Sequence, residues 1–254
     1  MPATGPAASK LGGLFDHVTL RASDRAASTR FYELVLDTLG VEKHDGDGWT
    51  AWGPHEFFVL EDPGAVTGRL HIAFTAPTRE HVHGFWNAGT EAGYASDGEP
   101  GTRPRYGETY YGSFLLDPDG NSAEAVHHDS VRTHGCIDHM WLRVADVEAS
   151  TRFYETIAPQ AGLSVRRKTD ARTQIVGETG SFSLVSGDEP TENVHIAFPA
   201  RDNATVEEFH RVATAAGYRD NGGPGEREYH AGYYAAFVLD PDGNNIEVVT
   251  HNRG

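Results

Sequence analysis

One stretch is written twice in this chain, and that repetition constrains its fold more than any other feature. Residues 114–126 read FLLDPDGNSAEAV and residues 237–249 read FVLDPDGNNIEVV. Each is an apolar run, a D-P-D-G-N segment and a second apolar run. Pro118 and Pro241 fix φ for a turn, and Gly120 and Gly243 supply the left-handed position that closes it. The flanks are β-branched and aromatic enough to be strands, so each copy predicts a β-hairpin that closes a sheet. A single acid lies in each outgoing strand, Glu124 and Glu247. A carboxylate among apolar neighbours is costly unless something pairs with it, so the rest of the chain must supply a partner.

The duplication extends far beyond the hairpin. FDHVTLRASDRAASTRFYE (15–33) matches IDHMWLRVADVEASTRFYE (137–155) at an offset of 122; LHIAF (70–74) matches VHIAF (194–198) at 124, and LDPDGN matches itself at 123. A nearly constant offset means two copies of one domain. The expected division is a flexible tail at 1–13, a first domain at 14–128, a link at 129–136 and a second domain at 137–254. Each copy reads as strand–helix–strand–strand–strand performed twice. DHVTLR alternates as a strand. Asp24 then opens a helix whose apolar stripe is Ala27, Phe31, Leu34 and Val35; the second copy repeats it with Asp146, Ala149, Phe153 and Ile157. VEKHD, GWTAWG and EFFVLED are short strands. LHIAF restarts the cycle, with a helix carrying Val82, Phe85 and Trp86 that stops at Gly93, and Val206 and Phe209 before Gly217 in the second copy. The class is α+β, with sheets curled over a cleft and helices on their outer faces.

The 254 residues carry 37 acids against 21 bases, a net charge of −16. That argues against nucleic acid, whose phosphates need a basic face, and reads mainly as a solvated acidic surface compatible with a cationic ligand. One cysteine, Cys136, permits no intrachain disulfide. No run approaches 18 apolar residues, so no membrane helix is expected, and the N-terminus does not read as a signal peptide. A cytoplasmic setting is the expectation. There is no Gly-rich phosphate loop and no nucleophilic Ser or Cys arrangement.

A histidine occupies the same place in the first strand of all four half-copies: His17, His71, His139 and His195. With the strand acids this gives His17, His71 and Glu124 in one copy and His139, His195 and Glu247 in the other. The spacings are 54 and 53 residues in the first set and 56 and 52 in the second. Read singly, each is ordinarily a hydrogen-bonded core residue. Their recurrence in both copies points instead to two imidazoles and one carboxylate holding a divalent metal ion with open positions, such as Fe, Mn, Zn, Ni or Co. Tyr106, Tyr110 and Tyr111 align with Tyr229, Tyr233 and Tyr234. One member of each Tyr-Tyr pair should face the cleft, and Tyr111 and Tyr234 are the candidates to donate to a bound oxyanion, with aromatic packing as the alternative. His230 is a candidate acid or base of the second copy alone, or else an exposed loop residue. Trp49, Trp52 and Trp141 are candidates to line a cleft, or to pack.

The two-fold strand–helix–three-strand plan, the D-H-V/M strand, the RFYE helix, the HIAF strand and the LDPDGN-x-x-E hairpin together resemble the vicinal oxygen chelate superfamily. Its members include glyoxalase I, the extradiol dioxygenases, fosfomycin-resistance enzymes and bleomycin-binding proteins. The resemblance spans residues 14–250 as two tandem domains, each of two βαβββ modules. It implies metal positions at His17, His71 and Glu124 and at His139, His195 and Glu247. One departure from glyoxalase I stands out: the strand that would carry a fourth ligand has no acid in both copies. Counting back from the HIAF histidines, Glu56 aligns with Gly180 and Glu61 with Val185. The three-ligand set is closer to the extradiol dioxygenases and fosfomycin-resistance enzymes. The resemblance implies a metal-dependent enzyme that chelates two vicinal oxygens of a small oxygenated substrate. The rival is a bleomycin-resistance-like protein that sequesters a small molecule without turnover. Whether a cleft forms within one copy, between copies or across a homodimer is left open by the residues alone.

Overall fold

The computed structural model describes residues 13–129 and 135–252. The predicted tail and link fall largely outside this range, at residues 1–12 and 130–134. Four βαβββ modules follow one another. The first is β1 (His17–Ala22), α1 (Arg25–Asp37), β2 (Lys43–Gly46), β3 (Trp49–Trp52) and β4 (Phe57–Glu61). The second is β5 (His71–Thr75), α2 (Arg79–Glu91), β6 (Ser96–Thr102), β7 (Tyr111–Leu116) and β8 (Ser122–His127). The third is β9 (Ile137–Val144), α3 (Val147–Ala161), β10 (Ser164–Thr169), β11 (Arg172–Val176) and β12 (Ser181–Ser186). The fourth is β13 (His195–Pro199), α4 (Asn203–Ala215), β14 (Asp220–Glu226), β15 (Tyr233–Leu239) and β16 (Asn245–His251). Among the described residues no helix is long and apolar enough to cross a membrane.

The sheets do not follow the copies. The first and fourth modules share an eight-stranded sheet of order β14-β15-β16-β13-β1-β4-β3-β2, and the second and third share another of order β10-β11-β12-β9-β5-β8-β7-β6. The seams are antiparallel: β1 meets β13 with His17 opposite Ala197 and Thr19 opposite His195, and β5 meets β9 with His71 opposite Trp141 and Ala73 opposite His139. Each sheet therefore joins half of one copy to half of the other.

Local chemistry sets the elements. Asp24 caps α1 by accepting from the Ala27 N–H at 3.0 Å, and Asp146 caps α3 by accepting from Glu148 and Ala149, which satisfies helix-end donors that have no partner inside the helix. The buried stripe of α1 is Ser28, Phe31, Tyr32, Val35 and Leu36, rotated from the predicted one. Ala27 is only partly buried and Leu34 is 37% exposed. The rotation follows from Tyr32, which buries its ring and donates its hydroxyl to Asp117 at 2.9 Å, so an amphipathic side chain takes a core place. Gly93 and Gly217, each at φ +91°, stand just past α2 and α4. In both hairpins the turn aspartate accepts from the backbone: Asp117 from Asp119 and Asn121, Asp240 from Asp242 and Asn244.

Strand alternation then separates two faces. On β1, Val18 and Leu20 join the apolar core with Phe31, Phe57 and Val59, as do Met140 and Leu142 on β9. That leaves His17 and His139 on the opposite face. Trp52 is fully buried in this core, so it packs and does not line a cleft. Trp49 and Trp141 are only partly buried and lie on the histidine faces.

Candidate metal centres

The pairing of half-copies regroups the six predicted ligands. His17 of β1, His195 of β13 and Glu247 of β16 come together on one sheet, and His71 of β5, Glu124 of β8 and His139 of β9 on the other. The sets expected within each copy are thus corrected: His71 and Glu124 join His139, not His17, and His195 and Glu247 join His17, not His139. The physical reason is the seam, which places β13 beside β1 and β9 beside β5.

In the first centre, His17 Nε2 is 3.1 Å from His195 Nε2 and 3.6 Å from Glu247 Oε2, and His195 Nε2 is 2.9 Å from that oxygen. In the second, His71 Nε2 and His139 Nε2 lie 3.0 and 3.6 Å from Glu124 Oε2. Both carboxylates are 1% exposed, too buried to be solvated by bulk water. Ligands bound at about 2.0–2.2 Å around one cation stand about 3–3.5 Å apart, so both triads fit a small divalent ion.

The surrounding hydrogen bonds decide which lone pairs point inward. His139 Nδ1 lies 2.9 Å from Asp138 Oδ1 and His17 Nδ1 2.9 Å from Asp16 Oδ1. A carboxylate only accepts, so in each neutral imidazole the proton sits on Nδ1 and the Nε2 lone pair faces the centre. His71 Nδ1 meets Ser122 Oγ at 3.3 Å; that hydroxyl donates its own proton to Asp97 at 2.7 Å, so it accepts from His71. The first centre differs at His195. Its Nδ1 is 2.6 Å from the Asn245 side-chain nitrogen, whose oxygen takes a hydrogen bond from Asn221 at 3.0 Å. Here the amide donates and the His195 proton sits on Nε2, facing Glu247. Burial pushes the His195 pKa down, against the pull of Glu247, which favours the neutral ring. Exchanging the ends of both amides would turn the His195 lone pair inward.

The tyrosines are the reverse of those expected. Tyr110 donates to Glu124 Oε1 and Tyr233 to Glu247 Oε1, each at 2.7 Å. Burial, and next the adjacent carboxylate, hold both phenols far above the ordinary tyrosine value, so each keeps its proton and orients a ligand. Tyr111 instead meets His83 on α2, and Tyr234 donates to Glu207 on α4, both exposed contacts. These two lie on the helix side because strand alternation puts consecutive residues on opposite faces. His230 does not reach the triad. It stacks on His251 at 5.0 Å with Nε2 2.9 Å from its Nδ1, and His251 Nε2 reaches Asp16 at 2.8 Å. In the second centre His128 meets Asp138 at 2.9 Å.

Sequence reasoning gave no role to Asp16, Asp138, His128 or His251, and of each Tyr-Tyr pair it chose Tyr111 and Tyr234 over Tyr110 and Tyr233. No acid stands on β4 or β12 beside either triad. The register pairs Thr19 with Phe58 and Trp141 with Ser183, so Glu56 corresponds to Ser181 and Glu61 to Ser186, one place from the counted alignment. Phe58 packs its ring 5.6 Å from His17. Glu56 is 4% exposed and accepts from the Cys136 and Ile137 N–H groups, a clamp on the start of the second copy.

Comparison with known proteins agrees with this architecture. Glyoxalase I from Zea mays superposes with a TM-score of 0.67 at 20% identity, covering 93% of this chain and 92% of that one. A putative dioxygenase from Bacillus subtilis subsp. subtilis str. 168 gives 0.63 at 16% identity, covering 97% and 87%. At such identities the likeness speaks for the fold. A search of curated proteins found no match. The family model described as Glyoxalase/Bleomycin resistance protein/Dioxygenase superfamily matches residues 14–125 and again 136–248. With its paired βαβββ modules and tandem repeat, the chain belongs to the glyoxalase/bleomycin resistance protein/dioxygenase superfamily.

Proposed function

We propose that the chain is a divalent-metal-dependent enzyme of the glyoxalase or dioxygenase type, acting on a small oxygenated molecule through bidentate chelation. One observation carries this reading. In the second centre both imidazoles have an Nδ1 proton directed at an acceptor, so in their neutral forms two nitrogen lone pairs and a buried carboxylate oxygen converge on one point. Three electron-pair donors facing one another around a buried carboxylate need a cation, a metal ion or a proton, between them, and their convergence suits a metal ion. His71, Glu124 and His139 would hold that ion, and His17, His195 and Glu247 a second one. When bound, the ion supplies Lewis acidity toward substrate oxygens. The protein's own part is positional. Asp138 and Asp16 fix the ring orientation of His139 and His17, and Tyr110 and Tyr233 hold the carboxylates while keeping their own protons. Phe58 on one side and Trp141 on the other wall the centres with apolar surface.

The first centre supports a second reading for its own cleft. As arranged, His195 donates to Glu247 at 2.9 Å, which satisfies both groups with no ion. That is what a metal-free small-molecule binder of the bleomycin-resistance kind would need. Metal content separates the two. Protein loaded anaerobically with Fe(II), Mn(II), Co(II), Ni(II) or Zn(II) and then dialysed should retain between one and two ions per chain, with retention weakening below about pH 6 because protonated imidazole cannot ligate. Retention of no ion would leave only the binder.

A further inference from the structure

We infer that the second centre, and not the first, selects an anionic substrate, and that Arg172 is the residue that recognises the anion. The inference rests on the proposed chelating function and adds the charge of the molecule that each centre takes. Arg172 opens β11 on the face that bears His139. Its guanidinium lies over the Trp141 ring, 5.3 Å from the centroid, and the Trp141 ring is 5.5 Å from His71 and 6.5 Å from His139. Nε and one terminal nitrogen donate to Ser183 Oγ at 3.2 and 3.0 Å. A guanidinium has five N–H donors, and Ser183 takes two. Among the described residues Arg172 makes no ion pair, whereas Arg21, Arg69, Arg152, Arg167, Arg201 and Arg211 each take one. A half-buried arginine with its plane fixed by an aromatic ring and its outer edge unclaimed is organised for a planar or tetrahedral anion.

The equivalent positions beside the first centre carry no cation. Register equates Trp49 with Arg172, Phe58 with Ser183 and Thr19 with Trp141. Trp49 and Phe58 pack at 5.4 Å, and His55 completes the wall. That surface suits a neutral, apolar or aromatic group. Each centre also has an arginine over the phenylalanine beside it, Arg227 on Phe237 and Arg103 on Phe114, so the two surroundings differ in the added cation Arg172, which would let one chain take two substrates of different charge.

The test uses a matched pair of vicinal-oxygen chelators, catechol and 3,4-dihydroxybenzoate, titrated calorimetrically into the full chain, both metal-loaded and chelator-stripped. To isolate the second centre, the same titrations are made in Glu247→Gln protein. The carboxylate should improve affinity about tenfold, the scale of one charge-assisted hydrogen-bonded pair. Arg172→Gln should bring the two probes to equal affinity with metal content unchanged, and Arg172→Lys should restore part of the preference. Stripping the metal should weaken both probes and keep their ratio. Equal affinity of the probes in unmutated Arg172 protein, or a preference that survives Arg172→Gln, would overturn the inference. Failure of the chelation reading would look different: no metal retained, and affinities indifferent to stripping.

Discussion

The two centres carry the same three ligands and differ in what surrounds them. At His71–Glu124–His139 both rings donate outward, to Ser122 and Asp138. At His17–His195–Glu247 only His17 does; His195 receives from Asn245 and spends its inward proton on Glu247. The difference lies in one atom type beside one ring nitrogen. Identical ligands therefore need not give identical sites, because the tautomer of each imidazole is set by the group behind it. On this basis the second centre should load first and the first centre more weakly.

The largest effect expected comes from removing a ligand charge. Glu124→Gln should abolish tight uptake at the second centre, by about 100-fold or more, and leave the first as it was; Glu247→Gln should do the reverse. Metal analysis after equilibrium dialysis reads both, and equal losses at both centres from either change would dissolve the distinction between them. The next effect addresses the groups behind the rings. Asp138→Asn and Asp16→Asn should each weaken their own centre about 10–100-fold. Asn245→Asp works in the opposite direction. It gives His195 Nδ1 an acceptor, and competition with a chromophoric chelator should show the first centre tightened about tenfold. No gain there would mean that the amide does not set the His195 tautomer.

How the sequence foretold the ligands, and not their grouping, has a physical basis. His17, His71, His139 and His195 recur at one register of one repeated strand, so counting alone finds them. Which of them meet depends on the β1–β13 and β5–β9 seams, pairings between residues more than 60 positions apart that leave no periodic trace in either strand. The tyrosines were within reach. Phe114 lies opposite Glu124 and Phe237 opposite Glu247, and stepping back in twos from each phenylalanine arrives at Tyr110 and Tyr233, not Tyr111 and Tyr234. Asp16 and Asp138 also stand in the D-H dipeptide of both copies. Their role is hidden because an acid next to a strand histidine reads as an ordinary turn residue until its contact with the ring is seen. The helix stripe slipped by one position for the same kind of reason: Tyr32 reads as amphipathic, while its burial depends on Asp117, 85 residues away.

Smaller effects sharpen the comparison further. A Cβ at Gly112 would clash with Glu124 Oε1, the oxygen held by Tyr110; the equivalent residue of the first sheet is Ala235. Gly112→Ala should therefore displace the end of Glu124 and weaken the second centre by a few-fold only, leaving the first alone, as competition titrations would show. Smallest of all, Tyr111→Phe and Tyr234→Phe remove exposed contacts on the helix side and should leave metal affinity unchanged and stability within about 0.5 kcal/mol, by dialysis and thermal melts. A loss of metal in either would return these residues to the centres.

Anomalous diffraction at the metal edge, from crystals of Co(II)-loaded protein, tests the cross-copy construction most directly. The expected result is a strong peak bonded at about 2.0–2.2 Å to His71, Glu124 and His139, with a weaker one among His17, His195 and Glu247. A peak that joins His17 to His71, or no peak within reach of either triad, would contradict it.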